Sequence, residues 1–227
     1  MCCRGRSKTE RKVAEARPIV YIVDDDPGAR RSLAYLVTSV GWEAETFASG
    51  QAFLEGRDPT RPACLLLDLR MPRMSGLQLQ DELAARGMRT PTIMITAYAE
   101  VAAAVRALKA GAIDFIEKPF SDLALLEKIN HAVQLAVAAA GERDTRAALM
   151  ARLNRLTPRE RDVLQRVADG QANKQVAAEL GLSVKTIEIH RASLMKKMEV
   201  SSLAELVRVV RQASEPARAP AVNRIRV

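Results

Sequence analysis

The stretch Leu65-Leu66-Leu67-Asp68-Leu69-Arg70-Met71-Pro72-Arg73-Met74-Ser75-Gly76 decides how the first half of the chain is read. Three consecutive leucines without alternation suit a strand buried on both faces, and such strands belong to parallel sheets covered by helices. The run stops at a carboxylate. Beyond Met71-Pro72, the segment Ser75-Gly76-Leu77-Gln78 fits a capping box, in which serine accepts one backbone N–H and glutamine accepts another. Strand, loop and helix therefore follow in line, with Asp68 at the carboxyl end of the strand. Alone, an aspartate there is ordinary strand-end punctuation, so its meaning depends on the rest of the chain.

Working outward, Ile19-Val20-Tyr21-Ile22-Val23, Ala63 to Leu67, Thr92 to Ile95 and Ile113 to Ile116 are short and mostly apolar, as central parallel strands are. Glu43 to Phe47 alternates and reads as a strand nearer a sheet edge. Helical patterns fall between them, at 29–40 and 76–86 among others. Five β-then-α repeats predict a doubly wound α/β fold with a five-stranded parallel sheet, because parallel neighbours need crossover helices. An alanine-rich helical pattern then runs from Leu123 to about Leu153. Thr157-Pro158-Arg159-Glu160 is a second capping box, with proline at the first helical position. The segments 158–168, 173–180, 183–198 and 202–211 after it all read as helices. The predicted organisation is a disordered basic tail at 1–17, an α/β domain at 18–137, a helical linker at 138–153, a small all-α domain at 154–212 and a disordered tail at 213–227.

Charge supports this division. The net charge of +8 is spread as +4 over residues 1–17, −3 over 18–140 and +7 over 141–227. A mildly acidic body joined to a basic helical piece suggests that the second part meets a polyanion, although a basic segment is equally compatible with a solvated surface. No apolar run reaches the roughly 18 residues of a membrane span, and the first seventeen residues lack the apolar centre of a secretory signal. The expectation is a soluble cytoplasmic protein with no membrane association. Cys2, Cys3 and Cys64 have neither CxxC spacing nor nearby histidines, which disfavours zinc and disulfide scaffolds.

In an open α/β sheet, ligands gather at the carboxyl ends of the strands. Asp24, Asp25 and Asp26 follow the first strand, Asp68 ends the third, Thr96 follows the fourth and Lys118 the fifth. Clustered carboxylates repel one another unless cations offset them. A hard Mg²⁺ ion, using one or two carboxylates, a backbone oxygen and waters, meets that need, with Lys118 as a fixed positive neighbour. For each residue taken singly, the alternative is a solvated loop side chain.

The set IVDDDPGARRSL, LLLDLRMPRMSG, IMITAYAE and AGAIDFIEKPF resembles a response-regulator receiver domain over about residues 18–135. The resemblance implies a flavodoxin-like fold. It also implies that Asp24 and Asp25 are the acidic pair, with Asp25 the more direct metal ligand, and that Asp68 is the phosphoacceptor. By the same resemblance, Arg70 lends its backbone carbonyl to Mg²⁺, Thr96 and Phe115 form the switch pair, Lys118 contacts the phosphoryl group, and Lys118-Pro119 is cis. A carboxylate can attack phosphorus when a metal neutralises the charges on both partners. Two competing classes fit poorly. Phosphatases resembling haloacid dehalogenases need a second aspartate where this chain has Arg70, and no GxxxxGK[ST] loop is present. No catalytic residue of an enzyme is assigned.

Ser183 caps a helix on which Ile187, Leu194 and Met198 share one face, while Lys185, Glu188, Ile189, Ala192 and Lys196 share another. With the helix at 173–180 and the turn at Gly181, this makes a helix-turn-helix. A protein-docking bundle is the alternative on pattern alone. Residues 154–210 resemble the LuxR-type DNA-binding domain, which implies that 183–198 is the recognition helix. Glu188, Ile189 and Ala192 would face bases, and Lys185, Thr186, Arg191 and Lys196 would lie at or near the DNA backbone. Thr157, Asn173 and Lys174 would add phosphate contacts. Many relatives carry lysine at the position of Glu188, which leaves the preferred base open. The last helix, with Ser202-Leu203-Ala204-Glu205 read as its capping box, is expected to expose Leu206, Val209 and Val210, which the family resemblance implies for pairing, with ordinary core packing the equal alternative at any one of them.

The whole chain is thus most similar to response regulators of the FixJ/StyR branch. The resemblance implies a partner histidine kinase, double-stranded promoter DNA, homodimerisation on activation, and RNA polymerase as a further contact. The competing reading is a phosphorylation-independent DNA-binding regulator whose receiver only dimerises.

Overall fold

A computed structural model of the chain describes residues 17–97 and 101–214. Its elements run β1 (Ile19–Val23), α1 (Pro27–Ser39), β2 (Glu43–Phe47), α2 (Gly50–Gly56), β3 (Ala63–Asp68), α3 (Gly76–Ala85), β4 (Thr92–Thr96), α4 (Val101–Lys109), β5 (Asp114–Glu117) and α5 (Asp122–Asn154). Four helices follow: α6 (Pro158–Ala168), α7 (Asn173–Leu180), α8 (Val184–Met198) and α9 (Leu203–Ser214). Two compact units result, with the break between Gly141 and Glu142. No helix among the described residues is long and apolar enough to cross a membrane.

In the first unit the five strands are parallel in the order β2-β1-β3-β4-β5. Alternate residues of each strand enter opposite layers, as the two-residue period dictates. Tyr21, Val23, Leu65, Leu67 and Met94 pack with Phe53, Leu79, Leu83 and Ala107 from α2, α3 and α4. Val20, Ile22, Leu66, Ile93 and Ile95 pack on the other side with Leu33 and Val37 of α1 and Leu125 and Ile129 of α5. Being covered on both faces explains why β1, β3 and β4 read as continuous apolar runs. Cys64 is buried in the second layer, and burial pushes its thiol pKa up, which makes it a core residue rather than a reactive one.

Two expectations need correction. The last strand is Asp114–Glu117 and forms the edge opposite β2, so it is only partly buried instead of central. The stretch 138–153, read as a helical linker, lies within α5, and Leu149 and Leu153 pack into the core of the second unit. On α9, Leu206 is fully buried, and Val209 and Val210 pack against that same core, so the residues expected to be exposed face inward. The helical period is right there, but the apolar stripe seals its own small domain, which has few other residues with which to close a core. The capping box of α9 is also altered: Ser202 Oγ accepts from Glu205 N, but the Glu205 carboxylate accepts from Ser201. Helix α9 continues to Ser214, and the tails expected at 1–17 and 213–227 otherwise lie outside the described residues, apart from Arg17.

The second unit is organised around a buried charge. Glu160, only 3% exposed, accepts from Thr157 N at 2.7 Å, the Ser193 hydroxyl at 2.6 Å and the Lys197 ammonium at 2.7 Å. Burial alone would push its pKa up, but the bonds from Lys197, Ser193 and Thr157 outweigh burial and bring it down from 4.5 to about 2. The ionised form is therefore favoured by folding, so its stabilisation is complete above pH 4.5 and is lost as pH falls toward about 2. Glu160→Gln is expected to destabilise the helical unit by about 2 kcal/mol at neutral pH, because it leaves Lys197 without its counter-charge. Urea denaturation across pH checks this: the gap between wild type and variant should shrink on acidification through the same window.

Candidate functional site

Because all five strands are parallel, their carboxyl ends share one edge. Asp24 follows β1, Asp68 closes β3 in register with Ile95, Thr96 closes β4 opposite Glu117, and Lys118 follows β5. Lys118 Nζ lies 3.0 Å from Asp24 Oδ2 and 3.0 Å from Asp68 Oδ1. Each carboxylate uses its other oxygen to accept a backbone N–H: Asp26 N to Asp24 Oδ1 at 2.8 Å, and Arg70 N to Asp68 Oδ2 at 2.8 Å. The Lys118-Pro119 bond is cis, and Lys118 N donates to the Thr96 carbonyl at 2.7 Å. Asp24, Asp68 and Thr96 are all buried, whereas Asp25 stands exposed on the same loop.

Burial pushes the Asp68 carboxyl pKa up and the charge of Asp24 adds to this, more than Lys118 and the Arg70 N–H offset. For Lys118, burial acts to lower its pKa, but the two carboxylates outweigh it and raise it, so the ammonium stays charged. Two acids sharing one ammonium leave a net negative site built of hard oxygen donors. Among the described residues, no three His, Cys, Asp or Glu side chains cluster as a complete metal cage. The donor set suits Mg²⁺, which takes only one or two carboxylates and keeps several waters.

The structure thus brings Asp24, Asp68, Lys118 and the Arg70 backbone into direct contact, and sets Thr96 at the same strand edge. Phe115 pairs with Met94 in the sheet and lies half-buried against the first core layer. The sequence reading placed Asp26 only among the clustered acids, and it did not single out Arg30. Asp26 is the N-cap of α1, and its bonds from Gly28 N and Ala29 N hold its carboxyl below the usual carboxylate range. Arg30 donates to the Asp24 carbonyl oxygen at 2.6 Å. The Asp-Pro-Gly run signals the cap, while nothing in the local pattern signals the reach of Arg30.

In the second unit, Ser183 caps α8 by accepting from Thr186 N, and Gly181 closes α7 in the left-handed conformation at φ 67°. Ile187, Leu194 and Met198 are fully buried. Lys185, Glu188, Ile189, Ala192 and Lys196 form the exposed face, with Ile189 61% exposed. Lys174 is exposed, and Asn173 Oδ1 accepts from Arg191 Nη1 at 2.7 Å. The Thr157 and Thr186 hydroxyls are engaged in the caps of α6 and α8.

Comparison with known proteins gives a concordant picture. The family model for the response regulator receiver domain matches residues 20–130, and that for bacterial regulatory proteins of the luxR family matches residues 154–210. Nodulation protein W of Bradyrhizobium diazoefficiens is 44% identical over 204 residues, 86% of each chain. Transcriptional regulatory protein FixJ of Rhizobium meliloti is 44% identical over 190 residues, covering 84% of this chain and 93% of FixJ. The solved structure of the response regulator StyR is 44% identical, covers 87% of this chain and 100% of its own, and superposes with a TM-score of 0.81.

The loop after Asp68 leaves no room for a side chain at Gly76. Its amide donates to the Leu69 carbonyl at 3.0 Å, and a Cβ there would lie 2.4 Å from the Asp68 carbonyl oxygen. Gly76→Ala should therefore destabilise the first unit by about 1–3 kcal/mol. Gly87→Ala, where the left-handed backbone has open space around it, should lose about 1 kcal/mol or less. Paired urea titrations of the two variants check the difference.

Proposed function

The chain belongs to the two-component response regulators that join a receiver to a LuxR-type DNA-binding domain and regulate transcription, and from that premise we propose that Asp68 is its phosphoacceptor and α8 its DNA-recognition helix. The observation that carries the first part is the Lys118 ammonium shared by Asp24 and Asp68 at the strand edge. A partner histidine kinase supplies the phosphoryl group. An Asp68 carboxylate oxygen attacks phosphorus, an O–P bond forms, and the P–N bond to the kinase histidine breaks with its electron pair leaving on the imidazole. Receiver domains generally bind Mg²⁺, and here Asp25, Asp68 and the Arg70 carbonyl would hold it beside Asp24. The ion supplies neutralisation of the charge that repels a carboxylate from a phosphoryl group.

Within the chain, Lys118 stays charged and meets the incoming phosphoryl oxygens. Thr96 is the hydroxyl of the switch pair, and its movement lets Phe115 turn inward from its half-buried position. The altered face promotes a homodimer, in which two α8 helices occupy paired half-sites of promoter DNA and contact with RNA polymerase follows. Lys185, Thr186, Arg191, Lys196, Thr157, Asn173 and Lys174 would address the sugar-phosphate backbone, leaving base edges to Glu188, Ile189 and Ala192.

Incubation with Mg²⁺ and a small phosphodonor is expected to give an acid-labile adduct that is absent from Asp68→Asn and after chelation. The same adduct on Asp68→Asn would remove Asp68 from the role. Normal DNA binding and dimerisation without any adduct would favour the phosphorylation-independent regulator. A carboxylate at position 188 accepts hydrogen bonds only, so selection from random duplexes should place a cytosine amino group opposite it. Glu188→Ala should then lose roughly 1–3 kcal/mol of discrimination at that base pair, whereas Lys185→Ala should weaken all sequences alike and reduce the salt slope by about one. Quantitative binding to single-base variants of the selected site measures both.

A further inference from the structure

Three helices hold α8 by polar ties. Asn173 on α7 takes Arg191, and Glu160 on α6 takes Ser193 and Lys197. The third tie comes from the last turn of α5, ahead of the residues matched to the luxR family. Arg152 Nη2 lies 2.7 Å from Glu199 Oε2, and its Nη1 donates to the Met198 carbonyl oxygen at 3.4 Å. That carbonyl belongs to the end of α8, where the last oxygens lack helical partners and a cation is favoured. Glu199 closes the helix in the left-handed conformation, φ 56° and ψ 42°, which is uncommon for a residue with a Cβ. Val200 N completes the turn by donating to the Met195 carbonyl. Leu149 and Leu153, flanking Arg152 on α5, enter the same core as Met198, so the guanidinium projects from a fixed base. A half-exposed ion pair adds little to stability. Its position at the end of α8 gives it a different consequence.

We propose that Arg152 is a positioning residue for DNA recognition: it fixes where α8 ends, and hence how Glu188, Ile189 and Ala192 are presented, without itself touching DNA. The inference rests on α8 being the recognition helix. The test uses the full chain, the duplex selected above and a scrambled duplex of equal length, with Arg152→Ala, Glu199→Gly and the double variant. Glycine favours the left-handed conformation, so Glu199→Gly removes the ion pair while keeping the turn. Each single change should weaken binding to the selected duplex roughly three- to tenfold, as expected for members of one polar network. The double variant should lose no more than the worse single, and Arg152→Lys, which keeps a cation at the end of α8, should recover part of the binding. Affinity for the scrambled duplex and the salt slope should not move. A salt slope reduced by about one in Arg152→Ala, with both duplexes weakened, would make Arg152 a phosphate contact and overturn the proposal. So would wild-type binding by Glu199→Gly. If the wild-type chain fails to prefer the selected duplex, the recognition-helix reading falls instead.

Discussion

One ammonium between two buried carboxylates is the constraint on which the first unit turns. Lys118 can reach both Asp24 and Asp68 at 3.0 Å only if the ends of β1, β3 and β5 stand at one edge in the observed order. Without that cation, two buried acids would face each other in a poorly solvated site, and their ionised forms would be strongly disfavoured. The surrounding backbone is committed to the same end. Amides of Asp26 and Arg70 each donate to the remaining oxygen of one carboxylate, and the amide of Lys118 is held by Thr96. Gly76 sits directly on the Asp68 carbonyl, so the loop that presents the carboxylate leaves no room for a side chain there.

The second unit uses buried charge differently. Glu160 is enclosed and fully bonded, and it binds the start of α6 to α8 through Ser193 and Lys197. Its bonds are spent on holding the helices together, so it is unavailable to a ligand. The exposed face of α8 is the reverse, carrying lysines, one glutamate and a largely exposed isoleucine around a helix whose opposite face is fully buried. A rigid helix with an adaptable outer face is the arrangement that groove reading requires.

Several features were legible because their physics is local. The capping boxes at Ser75 and Thr157 formed as read, since serine or threonine followed three residues later by glutamine or glutamate satisfies two orphan amides within one turn. The apolar runs became β1, β3 and β4 because continuous hydrophobicity over five or six residues suits a strand covered on both sides. Where a reading failed, the missing information was non-local. The periodicity of α9 identifies an apolar stripe but not the surface it meets, and Leu206, Val209 and Val210 met their own domain's core. The Ile113–Ile116 run resembles a central strand, but strand order made it an edge.

The sequence by itself determined the classes of element, the alternation of strand and helix, and which polar residues fall at the carboxyl ends of the strands. Those properties follow from periodicity, capping and side-chain type within a few residues of chain. Tertiary structure alone decided that Lys118 bridges Asp24 and Asp68 across 94 and 50 residues, that Arg30 grips the Asp24 carbonyl, and that Arg152 holds the end of α8. Such contacts arise when strand order and helix packing bring distant side chains together, and no local pattern of sequence encodes that distance.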